Sequence, residues 1–244
     1  MFINLYKPSG VSSYDCIRII KFIFKYPEKF ADNNDWQKII KEYKGGTIGH
    51  AGTLDPFADG VLIVCTDQDT KSITDIQNQP KEYQTIIKLG ASSNTYDIEG
   101  IITPQKNKFI PTQSAIIEVI KQSLIGEINQ YPPSFSAKKI NGQRAYQLAR
   151  QNISVKLSPK KVIIYNIDVN DYAHPDLQLT IKCSSGTYIR SIAHDLGQLL
   201  QTGAYCHSLS RLAIGTYRYV DSIPLPQDQI AFFQNKYISK KHNL

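Results

Sequence analysis

The chain has 244 residues, of which 41% are hydrophobic and 20% are charged, and this composition excludes a largely disordered protein. Its 28 lysine and arginine residues outnumber its 21 acidic residues, and the net charge of +7 favours a polyanionic partner without identifying it. Only six of the 28 basic residues are arginine, so lysine carries most of the positive charge.

The N-terminus and the cysteines indicate the cellular compartment. A Lys-Pro-Ser-Gly turn at 7–10 precedes any apolar run of signal-peptide length, and no stretch approaches the roughly 18 apolar residues of a membrane span. The four cysteines, at positions 16, 65, 183 and 206, lack C-x-x-C spacing and lie mostly in apolar runs, which is typical of reduced, buried thiols. We therefore expect a cytoplasmic protein without a metal site.

The first third of the chain begins with a clear helical signal. Ser12 and Asp15 have the spacing of a capping box, and the apolar residues that follow recur with helical period, which predicts a helix over 13–25. Residues 26–44 are polar and irregular, and we interpret them as an inserted surface element with a short helix around Trp36.

Strands and a helix follow in the middle of the chain. The apolar run at 61–65 indicates a buried strand, and the alternation at 83–90 places Tyr83 on one face of a second strand. Residues 113–125 have helical spacing, and Gly126 stands where such a helix would end.

The last part of the chain opens with a long loop at 129–142, which contains two prolines and is of the kind that often carries function. Strands are predicted at 162–169 and 177–185, and a helix is predicted at 187–200. A final strand is predicted near 214–220.

This order of elements predicts an α+β fold with many strands. The chain has no repeat period and no clear linker, so we expect one continuous domain over 1–223. The tail at 224–244 is too short to form a second domain.

The densest chemical signal is the run GGTIGHAGTLDPFADGVL at 45–62. Its glycines at 49 and 52 permit close approach of the backbone, and Pro56 biases Asp55 away from helical geometry, so Asp55 lies on a shaped turn. Lysine and arginine are absent from 45–70, so a cationic partner of Asp55 has to come from elsewhere in the chain. The alternative is a capping aspartate in a tight turn.

The best candidate for that partner is Arg190, in the run SSGTYIRS at 184–191. Tyr188 lies two residues earlier, and on extended backbone both side chains point to the same side, as the wall of a site requires. The alternative is that Arg190 lies on the surface of the helix and Tyr188 packs in the core.

Six motifs run in a fixed order along the chain. They are N-L-x-K-P-S-G at 4–10, G-H-A-G-T-L-D-P-x-A-x-G-V-L at 49–62, K-x-Y at 81–83, T-x-D-x-x-G at 95–100, P-P-x-x-S-A-K-K-x-N-G-x-R-A-Y at 132–146 and G-T-Y-I-R-S at 186–191. In this order they resemble the TruB family of tRNA pseudouridine synthases. The resemblance implies the pseudouridine synthase fold, with a mixed, largely antiparallel central sheet, flanking helices and loops, and a central RNA-binding cleft.

The resemblance also implies a reaction. Uridine 55 in the T-loop of tRNA, whose number matches Asp55 only by coincidence, would become pseudouridine without metal, cofactor or net redox change. Asp55 would be the essential catalytic aspartate, acting either as a nucleophile at the sugar or as the base for a 2′ proton. Arg190 would hold Asp55 ionised and oriented.

Four further residues match positions that handle the flipped base in the family. Tyr83 would stack on the uracil and is a candidate for handling the C5 proton, and Tyr188 would pack against Arg190 and the base. Leu209 would contact the base from its apolar side, and His50 would enter the T-loop where the nucleotide leaves. A stacked, apolar slot is what a flipped uracil requires.

The basic residues of the motifs are expected to serve RNA binding. Lys7 would either support the active-site loops or contact RNA, while Lys138, Arg144 and Arg211 would meet phosphate. The loop at 129–142 resembles the family's thumb, which orders over the bound T-loop. The alternative for these charges is an ordinary solvated surface.

The chain departs from the family pattern at its end, in one internal segment, and at Ser210, where the family often has arginine. It ends about twenty residues after the last matching strand, where family members commonly continue into an RNA-binding domain, and 26–44 is longer than the usual link. We expect a monomer that acts on the tRNA T-arm without guide RNA. Two alternatives stay open: a helper of tRNA folding with secondary catalysis, and the guide-RNA-dependent relatives, which the absent domain disfavours.

Overall fold

A computed structural model describes residues 1–106, 109–133, 135, 139–140, 143–144 and 158–241. The chain forms two compact units: the first contains Met1–Glu82 and Ser210–Leu244, and the second contains Tyr83–Leu209. None of the helices within the described ranges is both long and apolar enough to cross a membrane.

Strands and helices alternate irregularly along the chain. The strands are β1 (Phe2–Lys7), β2 (Ile48–His50), β3 (Asp59–Thr66), β4 (Lys81–Leu89), β5 (Ala91–Ser93), β6 (Ile102–Pro104), β7 (Gly126–Gln130), β8 (Lys139–Ile140), β9 (Gln143–Arg144), β10 (Lys160–Ala173), β11 (Asp176–Cys183), β12 (Ala204–Ile214), β13 (Tyr217–Arg218) and β14 (Ile223–Pro224). The helices are α1 (Ser13–Lys25), α2 (Asn34–Glu42), α3 (Ile73–Asn78), α4 (Gln113–Ser123), α5 (Ile189–Leu199) and α6 (Gln227–Lys241).

The first unit is built on the strand order β14-β1-β3-β12, with β2 also paired to β3 and β13 to β12. β1 runs antiparallel to β3 and parallel to β14. The end of β12 runs parallel to the start of β3, with Ser210 opposite Asp59 and Arg211 opposite Gly60. This last pairing brings β12 next to the loop that contains Asp55.

One apolar core joins β1, β3, α1, α2 and α6 in this unit. The helix predicted over 13–25 is confirmed, and the Ser12 side chain accepts a hydrogen bond from the Asp15 backbone amide at 3.1 Å. Because the apolar stripe of α1 lies in the core, the helix is fixed by packing as well as by its cap.

The segment 26–44 is mostly exposed, but the side chains of Phe30, Trp36 and Ile39 are buried in the core of the first unit. The short helix around Trp36 is confirmed as α2, and the Trp36 side chain is fully buried. Its indole Nε1 donates to the Pro224 carbonyl oxygen at 3.0 Å. α2 therefore has one face in the core and one at the surface, as its amphipathic sequence requires.

The tail at 224–244 is mostly helical, since α6 occupies Gln227–Lys241. Ile230 and Phe233 are buried in the core of the first unit. The Arg18 guanidinium lies 5.1 Å from the centroid of the Phe233 ring. The tail is thus an integral element of the first unit.

The second unit is built on the strand order β12-β4-β11-β10-β7. β10 runs antiparallel to both β11 and β7, and the small pairs β5-β6 and β8-β9 are also antiparallel. α4 contacts α5 and β10 within this unit. The predicted α+β class, with mixed and largely antiparallel strands, is confirmed.

Candidate active site

Asp55 lies in the loop between β2 and β3, in the first unit. The Gly10 backbone amide donates to the Pro56 carbonyl at 2.8 Å, and the Ala58 amide donates to the Asp55 carbonyl at 3.1 Å. Asp55 is half-buried. The backbone on both sides of this carboxylate is therefore tied down, which limits where the side chain reaches.

Two serines of the N-terminal segment hold the same loop. The Ser13 hydroxyl accepts from the Leu54 amide at 2.9 Å and donates to the Leu54 carbonyl at 3.1 Å. The Ser9 hydroxyl donates to the Phe57 carbonyl at 2.8 Å. The sequence motif at 4–10 and the start of α1 thus position the residues that flank Asp55.

Lys7 completes this support from inside the unit. The side chain is fully buried, and its Nζ donates to the carbonyl oxygens of Pro8 at 3.0 Å, Pro56 at 3.4 Å and Ala58. Burial lowers the pKa of Lys7 to about 8, although the nearby Asp55 carboxylate favours the charged form. Of the two roles expected for Lys7, this placement favours support of the loop over contact with RNA.

Arg211 is also directed inward. Its side chain is 2% exposed, its Nε donates to the Val61 carbonyl at 2.8 Å, and its Nη2 donates to the Gly52 carbonyl at 3.0 Å. The sequence predicts a phosphate contact at this position. Instead, the guanidinium ties β3 to the start of the Asp55 loop.

His50 ends β2, opposite Val64 of β3. Its side chain is half-buried, and the next residue, Ala51, donates its amide to the Ile63 carbonyl at 2.8 Å. The strand pairing therefore fixes the point at which the chain leaves the sheet toward Asp55.

In the second unit, Arg190 lies near the start of α5 and forms a buried ion pair with Asp97. The Arg190 Nη1 lies 2.8 Å from the Asp97 Oδ2, and both side chains are 4% exposed. Nη1 also donates to the Thr95 carbonyl at 3.2 Å, and Nη2 donates to the Phe135 carbonyl at 3.0 Å. The guanidinium is thus held in a defined orientation by charge-assisted hydrogen bonds.

Asp97, in the motif at 95–100, is a partner of Arg190 that the sequence pattern alone does not identify. Its Oδ1 accepts from the Thr95 hydroxyl at 2.6 Å and from the Glu99 amide at 2.9 Å. Tyr96, which lies between Thr95 and Asp97 in the sequence, has a φ of 65°. Its ring stacks on the His194 ring, with the centroids 3.9 Å apart and an interplanar angle of 10°. The Thr-x-Asp spacing was the available signal, since such residues often bond locally to their own turn.

The backbone of Tyr188 is held by the buried side-chain amide of Gln130. The Gln130 Oε1 accepts from the Tyr188 backbone amide at 2.7 Å, and the Gln130 Nε2 donates to the Tyr188 carbonyl at 3.0 Å. The Ser191 hydroxyl also donates to the Tyr131 carbonyl at 2.8 Å. The end of β7 therefore holds the start of α5, where Tyr188 and Arg190 lie.

Tyr83 and Leu209 lie on strands of the same unit. The predicted alternation along β4 is confirmed, because Tyr83 is buried while its neighbours on the opposite face are half-buried. Leu209 is buried on β12. The Thr85 hydroxyl donates to the Ser208 carbonyl at 2.7 Å, which links β4 to β12 beside these two residues.

The predicted site residues fall into two sets. The first unit contains Lys7, His50, Asp55 and Arg211, and the second contains Tyr83, Tyr188, Arg190 and Leu209. Lys138 and the side chain of Arg144 lie outside the described residues. The pairing of Asp55 with Arg190 stays a prediction. The first set contains a carboxylate on a braced loop, and the second contains an oriented guanidinium together with the aromatic and apolar side chains of Tyr83, Tyr188 and Leu209.

Comparison with known proteins gives a consistent result. Residues 38–189 match the family model described as TruB family pseudouridylate synthase (N terminal domain). The chain is 39% identical over 223 residues to the tRNA pseudouridine synthase B of Clostridium tetani, a match that covers 91% of this chain and 70% of that protein. It is 44% identical over 171 residues to the tRNA pseudouridine synthase B of Bacteroides fragilis, covering 69% of this chain and 72% of that protein.

Solved structures share the fold. The crystal structure of a Cbf5-Nop10-Gar1 complex matches with a TM-score of 0.66 and 25% identity, covering 100% of this chain and 56% of that one. A structure of an H/ACA RNP bound to a substrate RNA containing 2'-deoxyuridine matches with a TM-score of 0.62 and 24% identity, covering 100% of this chain and 55% of that one. The chain therefore spans little more than half the length of these solved chains.

Proposed function

Because the chain belongs to the TruB family of pseudouridylate synthases, we propose that it is an isomerase that converts uridine 55 in the T-loop of tRNA to pseudouridine. The observation that supports this most is the placement of Asp55. It lies in the family motif, on a loop that is held by hydrogen bonds from Lys7, Ser9 and Ser13. A fixed carboxylate is what cleavage at a sugar carbon requires.

The reaction rearranges bonds within one nucleotide. The N1–C1′ bond breaks, the uracil turns, and a C5–C1′ bond forms, after which C5 loses its proton and N1 gains one. Asp55 either attacks C1′ as a nucleophile or removes a 2′ proton to give a glycal. Both routes need an ionised carboxylate, and the positive charge of Lys7 favours that form.

The residues of the second unit bind the flipped base in this proposal. Tyr83 stacks on the uracil and handles the C5 proton, while Tyr188 and Leu209 enclose it with aromatic and apolar surface. Arg190 orients Asp55 in addition to Asp97, since a guanidinium carries five N–H donors. The fixed hydrogen bonds of Arg190 to Asp97 and of Tyr188 to Gln130 support pre-organisation of this slot.

The remaining residues serve support and RNA contact. Lys7 and Arg211 brace the Asp55 loop, which is the role that their burial favours. His50 enters the T-loop, Lys138 contacts phosphate from the thumb at 129–142, and Arg144 does so from just after it. We expect the protein to act as a cytoplasmic monomer on the T-arm, without guide RNA.

The test is the substitution Asp55→Asn, which keeps the shape of the side chain and removes its charge. Tritium release from a T-arm minihelix with 5-tritiated uridine is expected to fall by about 10³-fold or more. Binding of the same RNA is expected to stay within a few-fold. Asp35→Asn, which changes an exposed aspartate of the same unit, is the matched control and should leave both quantities unchanged.

Two results would contradict the proposal in different ways. Full tritium release by the Asp55→Asn variant would remove Asp55 from the catalytic role. Tight binding of tRNA by the wild-type protein without any new pseudouridine would favour the alternative, a helper of tRNA folding.

A further inference from the structure

Two adjacent lysines at the start of β10 lie on opposite faces of the sheet. In the antiparallel pairing of β10 with β7, Lys160 stands opposite Gln130 and Lys161 stands opposite Asn129. Residues directly opposite one another on antiparallel strands project from the same face, and successive residues project from opposite faces. Lys160 therefore shares the face of Gln130, and Lys161 projects from the other.

The face of Gln130 is the one that holds Tyr188. The buried Gln130 amide bonds both to the backbone amide and to the carbonyl of Tyr188. On the opposite face, the Lys161 Nζ pairs with the Glu127 Oε1 at 2.7 Å, and the Lys161 side chain is 71% exposed. The two lysines thus have the same charge and neighbouring positions but different surroundings.

The ammonium group of Lys160 lies over the loop that leads to Tyr188. A Cβ on Gly186 would come closer than 3.0 Å to the Lys160 Nζ, so the ammonium occupies the space that the glycine leaves open. Lys160 is exposed, and within the described part of the chain no carboxylate pairs with it. An exposed cation at this place is available to an anion that approaches Tyr188.

We infer that Lys160 binds a backbone phosphate of the RNA whose base enters beside Tyr188. This inference rests on the proposed function and adds a contact to it. A lysine ammonium is a compact point charge with three donors, which suits a single phosphate. Contacts of this kind set the position of the RNA and its affinity without reading its sequence.

The test compares Lys160→Gln with Lys161→Gln, which remove the same charge from opposite faces. Binding of a T-arm RNA hairpin is measured from low to moderate salt. For Lys160→Gln, we plot the logarithm of the association constant for the RNA against the logarithm of the salt concentration. The slope is expected to become shallower by about 0.7 to 0.9, which is the contribution of one phosphate contact. For Lys161→Gln, the slope is expected to stay at the wild-type value.

Two further measurements separate binding from other effects. Lys160→Arg is expected to restore the wild-type slope, and the RNA concentration that half-saturates tritium release is expected to rise in Lys160→Gln but not in Lys161→Gln. Thermal melting checks that both glutamine variants fold. Equal slopes in the two glutamine variants, or an unchanged half-saturating RNA concentration in Lys160→Gln, would overturn the inference. A wild-type protein that forms no pseudouridine would instead contradict the proposed function.

Discussion

The ion pair between Arg190 and Asp97 is the most consequential pairing at the scale of single residues. Both side chains are 4% exposed, so each charge loses most of its hydration. The short ion pair and the further hydrogen bonds of both groups offset this desolvation cost. Thr95 and Glu99 hold the Asp97 carboxylate from its other oxygen. An arginine held in this way keeps its orientation before any substrate arrives.

We expect Asp97→Asn to lower the free energy of unfolding by about 3 kcal/mol, because it leaves a buried guanidinium without a counter-charge. The matched control is Glu127→Gln, which breaks the exposed pair with Lys161 and should cost about 1 kcal/mol or less. Urea unfolding of both variants measures the difference. Similar losses in the two variants would show that the buried pair has no special weight.

At the scale of elements, the contact between β3 and β12 determines the geometry around the Asp55 loop. Gly60 has a φ of 107° and lies against the Arg211 backbone, where a Cβ would come closer than 3.0 Å to backbone atoms. Only glycine fits both the backbone conformation and the space. The two strands therefore approach closely enough for Arg211 to bond to the Val61 and Gly52 carbonyls.

Gly60→Ala is expected to disturb this contact, whereas Gly45→Ala changes a glycine of similar conformation in open space. Gly45 has a φ of 83° and nothing within 4 Å of a Cβ, so its replacement should cost only about 1 to 2 kcal/mol of backbone strain. Gly60→Ala should cost clearly more and should also slow tritium release, because the Asp55 loop shifts with β3. Urea unfolding and the tritium assay distinguish the two variants, and equal losses would contradict the role of the close approach.

At the scale of the whole molecule, the positive charge divides by residue type. The arginines whose side chains are described all bond to protein groups: Arg18 to Asp15, Arg190 to Asp97, Arg211 to backbone carbonyls, and Arg218 to Glu82. Within the described residues, attraction of a polyanion therefore depends mainly on lysine. The net charge of +7 attracts a polyanion over a long range in a salt-sensitive way, and single contacts such as that of Lys160 then position the bound RNA.

The free energy of unfolding of the whole chain should depend on pH because of Lys7. Burial lowers the pKa of Lys7 from 10.5 to about 8, so between these two pH values the unfolded chain binds more protons than the folded one. The free energy of unfolding contributed by this group therefore rises with pH over that window. Compared with Lys7→Met, the wild-type protein should gain stability from pH 8 to 10.5 in urea unfolding. A constant difference between the two proteins would contradict a depressed pKa.

Local signals in the sequence predicted the parts of the fold that depend on neighbours along the chain. The capping box of Ser12 and Asp15 predicted the start of α1, and alternation predicted the buried face of β4 with Tyr83. Pro56 and the glycines around it predicted a shaped turn at Asp55. Composition alone does not predict β1, nor the full length of β12, because these strands owe their conformation to partners distant in the sequence.

The sequence by itself determined the family, the α+β class, and the residue types that carry the proposed chemistry, because motifs and periodicity are written along the chain. Only the tertiary structure decided which charges face inward. Lys7 and Arg211 brace the Asp55 loop through contacts with β3 and its flanking loop, and Arg190 pairs with Asp97 across 93 positions of sequence. Such pairings depend on how strands pack and on which groups lose their water, and neither is encoded in local spacing.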